Sequence, residues 1–158
     1  MVLGRRKDET WSGTERRAPA VVLVVNDDPA ACEMVVRFVG AKGYRSIGAG
    51  SLEEAIGHLG TDLPRCIVLD LDAGGVGTSL KVLDLVRGHG DHRVSGARVV
   101  LCAASPKNRT FSFQSGADSF VLRPFHIDAL MAQIADVLTR PDKDRARHRR
   151  DELNRLGE

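Results

Sequence analysis

A chain of 158 residues, 42% hydrophobic and 28% charged, is long enough for one globular domain with tails and short for two. No apolar run approaches the roughly 20 residues of a membrane-spanning helix, and the opening MVLGRRKDETW lacks the apolar stretch of a secretory leader, so a cytoplasmic protein without membrane insertion is expected. The formal net charge of +2 divides into +2 for residues 1–20, −2 for 21–139 and +2 for 140–158, and neither tail interleaves aromatic with basic residues as a nucleic-acid stacking platform does.

Between the tails, short apolar runs alternate with helical patterns, the mark of βαβ units and a parallel sheet. The first run, Val21-Val22-Leu23-Val24-Val25, is continuous rather than alternating, as a strand covered on both faces requires. Asn26-Asp27-Asp28-Pro29 leads into a helix reaching about Ala41, with Val35, Phe38 and Val39 on one face and Gly43 as its stop. A weak strand over Tyr44–Ala49 precedes Ser51, which caps a second helix with Glu54 completing a capping box; Leu52, Ala55, Ile56 and Leu59 line its inner face. Cys66-Ile67-Val68-Leu69 is the third strand and ends in Asp70.

The glycine-rich stretch Asp72-Ala73-Gly74-Gly75-Val76-Gly77 precedes a helix expected around Leu80–Val86, with Gly88-His89-Gly90 at its exit. Val99-Val100-Leu101-Cys102 is strand four. Lys107–Ser115 is ambiguous, because Phe111 and Phe113 are spaced as on a strand. Gly116-Ala117-Asp118 turns into strand five, Phe120-Val121-Leu122, and a last core helix carries Ile127, Leu130, Ile134, Val137 and Leu138 on one stripe before Pro141. The expected organisation is a polar extension over 1–19, one domain over 20–140, and a charged basic tail over 141–158 that is partly helical or disordered. Cys32, Cys66 and Cys102 sit in apolar segments without metal-ligand spacing and read as reduced core residues. The five histidines, His58, His89, His92, His126 and His148, are scattered and read as surface residues.

Parallel α/β sheets bind ligands at the carboxyl ends of their strands. Strand one delivers Asn26, Asp27 and Asp28 there, strand three Asp70 and then Asp72, strand four Ala103-Ala104-Ser105, and strand five Arg123. Carboxylates gathered at one rim repel unless a cation or proton sits among them. Mg²⁺ is a natural filler, since it takes one or two carboxylates, waters and phosphoryl oxygens, and Asp27 with Asp70 would suit it. Asp70 could then attack phosphorus to form an acyl phosphate. No Ser-His-Asp or His-rich metal arrangement supports a hydrolase.

The segments VVLVVNDDP, CIVLDLD, VVLCAAS and GADSFVLRPF resemble, in order and spacing, those of bacterial response-regulator receiver domains, and the resemblance covers nearly all of 21–139. It implies a flavodoxin-like (βα)5 fold with a doubly wound five-stranded parallel sheet in the order 2-1-3-4-5. It also implies that Asp70 is the phosphoacceptor, Asp27 the direct metal ligand, Asn26 a group acting on the metal through water, Asp72 the donor of a backbone carbonyl to the metal, and Arg123 the phosphate-pairing cation in place of the usual lysine. Arg123-Pro124 is expected to be cis. Three departures stand out. Ala103 occupies the position of a Thr or Ser hydroxyl, Arg123 has a planar fork instead of an ammonium, and Asn26 removes one negative charge. Phe120 fills the aromatic switch position.

The resemblance implies a single-domain response regulator in a two-component phosphorelay, phosphorylated on Asp70 by a histidine kinase or phosphotransfer protein with Mg²⁺, and signalling to a downstream protein. It further implies a phosphoacceptor rather than an enzyme. A phosphorylation-independent interaction module is the alternative, and a nucleic-acid-associated protein using the Arg-rich tail ranks last. Dimerisation through the last core helix stays open.

Overall fold

The computed structural model describes residues 18–72 and 76–156. Its elements are β1 (Val21–Val25), α1 (Pro29–Ala41), β2 (Arg45–Ala49), α2 (Leu52–Asp62), β3 (Cys66–Asp70), α3 (Val76–Arg87), α4 (His92–Ser95), β4 (Arg98–Ala103), α5 (Arg109–Gln114), β5 (Ser119–Leu122), α6 (Ile127–Thr139) and α7 (Asp142–Leu156), with a 3-10 turn at Pro106–Asn108 leading into α5. The strands form one parallel sheet in the order β2-β1-β3-β4-β5.

The continuous apolar runs are explained by burial on both faces of the sheet. Leu23, Val25, Ile67, Leu69, Val99 and Leu101 point to one side, where Ala55 and Leu59 of α2, Val82, Leu83 and Val86 of α3 and Phe113 of α5 meet them. Val22, Val24, Cys66, Val68, Val100 and Cys102 point to the other, under Val35 and Val39 of α1 and Leu130, Ile134 and Val137 of α6. Successive strand residues thus serve two cores.

Local chemistry sets the element ends. Asp28 caps α1, its carboxylate accepting from the Ala30 and Ala31 N–H groups with Pro29 in the first turn. Ser51 Oγ accepts from the Glu54 N–H at the start of α2. The third helix begins at Val76, earlier than the Leu80 start expected from its pattern, and the short α4 follows where only an exit was foreseen. The ambiguous Lys107–Ser115 segment is helical: α5 buries Ser112 and Phe113 and leaves Phe111 in solvent. Arg123-Pro124 is cis.

Residues 1–17 of the expected N-terminal extension lie outside the described residues, as do 73–75 of the glycine-rich stretch. The charged stretch after Pro141 is the helix α7, which folds back against α5. All three cysteines are free and buried. Burial pushes the Cys66 and Cys102 thiols up, Cys102 to about 12, which favours the neutral thiol over the thiolate.

Ile134 is fully buried at the centre of the α6 face. Ile134→Ala is expected to lower unfolding stability by about 2–5 kcal/mol in urea titrations; a loss well below 1 kcal/mol would contradict the packing described.

Candidate functional site

The strand order reverses direction of travel between β1 and β3, and the crevice beyond their carboxyl ends is where such sheets gather ligand-binding groups. Asp70, the last residue of β3, lies in that crevice with its side chain only 12% exposed. Its backbone is fixed from two sides: the Ser79 hydroxyl donates to the Asp70 carbonyl (2.7 Å), and the next N–H, of Leu71, donates to the Cys102 carbonyl on β4 (2.7 Å). The carboxylate is thereby held at a defined place on the rim.

Four hydrogen bonds converge on that carboxylate. Asn26 Nδ2 donates to Asp70 Oδ2 (2.9 Å), and the Asp72 N–H donates to Oδ1 (2.9 Å). Arg123 supplies the other two, Nη1 to Oδ2 (2.8 Å) and Nη2 to Oδ1 (3.1 Å), a bidentate fork of the kind that guanidinium geometry favours. Arg123 Nη2 also donates to Asp72 Oδ2, so one guanidinium bridges two carboxylates. Partial burial works against the Arg123 charge, but hydrogen bonding to Asp70 and the charges of Asp70 and Asp72 outweigh it and raise the guanidinium above its ordinary value.

The neighbouring backbone completes the site. The Arg123 N–H donates to the Ala103 carbonyl (2.7 Å), and the Ala104 N–H donates to Asp72 Oδ2 (3.1 Å). Asn26 Oδ1 accepts from the Asp28 N–H (2.9 Å), which orients the amide so that its NH₂ faces Asp70. Ala103 is buried at the end of β4 and presents a methyl group. Ser105 lies two residues on, where its hydroxyl accepts from the Lys107 N–H (3.1 Å) and caps the 3-10 turn.

The structure therefore brings Asn26, Asp70, Asp72 and Arg123 into one network, with Ala103 against it. Asp27 borders an adjoining cleft of about 300 Å³ together with Ser51, Thr78 and Ser79. Two contributions escaped sequence reasoning: the Asp72 side chain as a second carboxylate on Arg123, and Ser79 as a clamp on the Asp70 carbonyl. Neither has a local signal, because both depend on contacts between separate strands and helices.

The donors that the resemblance names for a cation are the carboxylates of Asp27 and Asp70 and the Asp72 carbonyl, all hard oxygens. Among the described residues no group of three or more His, Cys, Asp and Glu is arranged to hold a metal. Such a two-carboxylate set fits Mg²⁺, which keeps several waters and completes its shell with phosphoryl oxygens, and does not suit ions that need a cage of protein ligands.

Residues 22–135 match the family of the response regulator receiver domain. The chain belongs to that family. Among similar proteins are the transcriptional regulatory protein YvrH of Bacillus subtilis, 31% identical over 122 residues covering 77% of this chain and 50% of that one, and the response regulator MprA of Mycobacterium tuberculosis, 30% identical over 119 residues covering 75% and 50%. The receiver thus spans about half the length of these relatives. Two solved structures share its fold: the chemotaxis response regulator CheY4 of Vibrio cholerae (TM-score 0.68, 21% identity, 75% of this chain and 98% of that one) and a response regulator signal receiver domain from Bermanella marisrubri (TM-score 0.69, 24% identity, 77% and 99%). Receivers are signalling modules of two-component systems. Among the described residues of this receiver no helix is long and apolar enough to cross a membrane.

The ion bridge has a measurable energetic signature. Arg123 is 31% exposed, so Arg123→Met is expected to destabilise the receiver by about 1–3 kcal/mol, below the loss seen when a fully buried pair is broken. Asp70→Asn in the same chain should recover much of that loss in urea titrations; strictly additive losses would show that the two side chains are not coupled.

Proposed function

We propose that this receiver accepts a phosphoryl group on Asp70 from a histidine kinase or phosphotransfer protein in the cytoplasm and passes the change on through protein contacts. The observation that carries the reading is the convergence of Arg123, Asn26 and the Asp72 N–H on one carboxylate at the rim of the sheet. Hydrogen-bond donors gathered around a carboxylate are the arrangement that stabilises the extra negative charge of an acyl phosphate.

In the transfer, an Asp70 carboxylate oxygen attacks phosphorus, the bond from phosphorus to the donor's leaving group breaks, and that group departs with the electron pair. Mg²⁺ held by Asp27, Asp70 and the Asp72 carbonyl would neutralise charge on the phosphoryl oxygens. Arg123 forms two bonds to Asp70 and one to Asp72, so it can release one carboxylate oxygen and re-form a bidentate contact with the phosphoryl group without losing its second anion. Asn26 donates to Oδ2, which leaves that oxygen oriented while Oδ1 reacts. The receiver is a substrate of this chemistry rather than an enzyme in its own right.

A second reading is favoured by Ala103. With a methyl group where a hydroxyl would meet the phosphoryl group, and with Arg123 closing over Asp70, the domain would serve as a constitutive protein-interaction module. A nucleic-acid role through the C-terminal arginines ranks last, because Arg145 and Arg149 are turned inward onto Asp118.

Intact-mass spectrometry after incubation with a small acyl-phosphate donor and Mg²⁺ separates the first two readings. One added phosphate is expected in the native chain, with none in Asp70→Asn or in a metal-free control. An unmodified native chain under the same conditions would overturn phosphoryl acceptance and leave the interaction module as the function.

A further inference from the structure

α7 is a helix without a single buried residue, yet it is seated on the domain. Its inward stripe runs through Arg145, Arg149, Glu152 and Leu153, spaced i, i+4, i+7 and i+8 as on one helical face. Three of these four residues are charged. Leu153 packs against the core, whereas Leu156 stays exposed. Most of what holds α7 is therefore electrostatic.

The main anchor is Asp118, whose side chain is 1% exposed. It accepts from Arg145 Nε (2.9 Å) and Nη2 (3.0 Å), from Arg149 Nη1 (3.2 Å), from Arg87 Nη2 (3.0 Å) and from the Val99 N–H (2.9 Å). Three guanidinium groups thus share one carboxylate. Burial lowers the Arg87 guanidinium to about 10; Asp118 opposes that shift, while Arg145 and Arg149 reinforce it. If α7 leaves, Asp118 Oδ2 keeps Arg87 and the Val99 N–H, while Oδ1, which only the two α7 arginines engage, is handed to water. Arg87 is also held by the Ser95, Ala97 and Gly116 carbonyls. The undocked state keeps the Asp118 charge paired with Arg87, and repulsion among the guanidinium groups is relieved.

The second anchor is Glu152, which faces Arg109 at 3.6 Å and also pairs with Arg155 on its own helix. The Arg109 guanidinium lies over the rings of Phe120 (5.3 Å) and Phe113 (5.9 Å), a cation–π contact. Its Nε is the one buried side-chain nitrogen or oxygen without a hydrogen-bond partner among the described residues. Such an atom is costly until it reaches water. Between α7 and the face of α5, β5 and α6 a cleft of about 420 Å³ remains, lined by Phe113, Phe120, Phe125, Gln133 and His148. α7 sits over this face without filling it.

We propose that α7 is a detachable cover. It undocks as a unit from a domain that stays folded, withdrawing Glu152 from Arg109 and opening the cleft over Phe113 and Phe120. This holds whether or not Asp70 accepts a phosphoryl group. Because undocking returns the charges of Arg145, Arg149 and Glu152 to water, where salt screens them, the docked fraction falls as ionic strength rises.

Amide hydrogen exchange on the full chain, read residue by residue, tests the proposal. Raising ionic strength from about 0.05 M to about 0.5 M is expected to accelerate exchange of the α7 amides by about tenfold or more while those of β1 and β3 keep their protection. Arg149→Gln and Glu152→Gln should each produce the same acceleration at low salt, together with shifts of the Phe113 and Phe120 ring resonances. If α7 amides exchange only at the rate of the central strands in every condition, α7 is an integral part of the fold and the proposal fails. If α7 exchanges faster in the variants while the two rings stay unshifted, the cover does not act on the cleft and the proposal also fails.

Discussion

One guanidinium group bridging two carboxylates organises the functional end of this receiver. Asp70 and Asp72 stand two residues apart at the end of β3, and Arg123 arrives from the end of β5 to bind both. Without a cation the two acids would repel across a rim that also holds Asp27 and Asp28. The contact also joins β3 to β5, which are not neighbours in the sheet; β4 lies between them, its Ala103 carbonyl accepts from the Arg123 N–H, and the Ala104 N–H just beyond it donates to the Asp72 carboxylate. Three strand ends are thereby tied by a single side chain and two peptide groups.

The three departures from the family pattern act together at this point. An acid at position 26 could not donate to Asp70, whereas the amide of Asn26 does so directly. A lysine at 123 offers a point charge, whereas the planar fork of arginine engages both Asp70 oxygens and still reaches Asp72. Ala103 leaves the pocket without a hydroxyl on that side. The changes at 26 and 123 each place a direct protein contact on Asp70, and the change at 103 removes a hydroxyl from its surroundings. In the resting receiver, neutralisation is therefore internal, and a phosphoryl group would have to compete with Asp70 and Asp72 for the same guanidinium.

Legibility in the sequence followed the range of the interactions. Runs such as Val21–Val25 and Cys66–Asp70 are buried on both faces, so they stand out as unbroken apolar segments, and the residues that follow them lie at the carboxyl rim by topology alone. Asp28-Pro29 and Ser51 announced their helices because capping is a matter of two or three residues. The seat of α7 was not legible. Its inward face is built from Arg145, Arg149 and Glu152, the residue types of a solvated surface, and their partners Asp118 and Arg109 lie tens of residues upstream. The early start of α3 and the four-residue α4 were hidden for another reason: both sit among glycines and polar residues, where periodicity carries no signal. For the same cause Ser79 gave no sign of its bond to the Asp70 backbone.

The most direct measurement of the central claim is side-chain arginine NMR of the native chain beside Asp70→Asn. If Arg123 is the resident counter-ion of Asp70, its guanidinium protons will be protected from solvent exchange and downfield-shifted at rest. They will lose much of that signature when the Asp70 carboxylate becomes an amide, with the residue retained only through Asp72. Arg123 guanidinium resonances that exchange as freely as those of a surface arginine, and stay the same in Asp70→Asn, would contradict it.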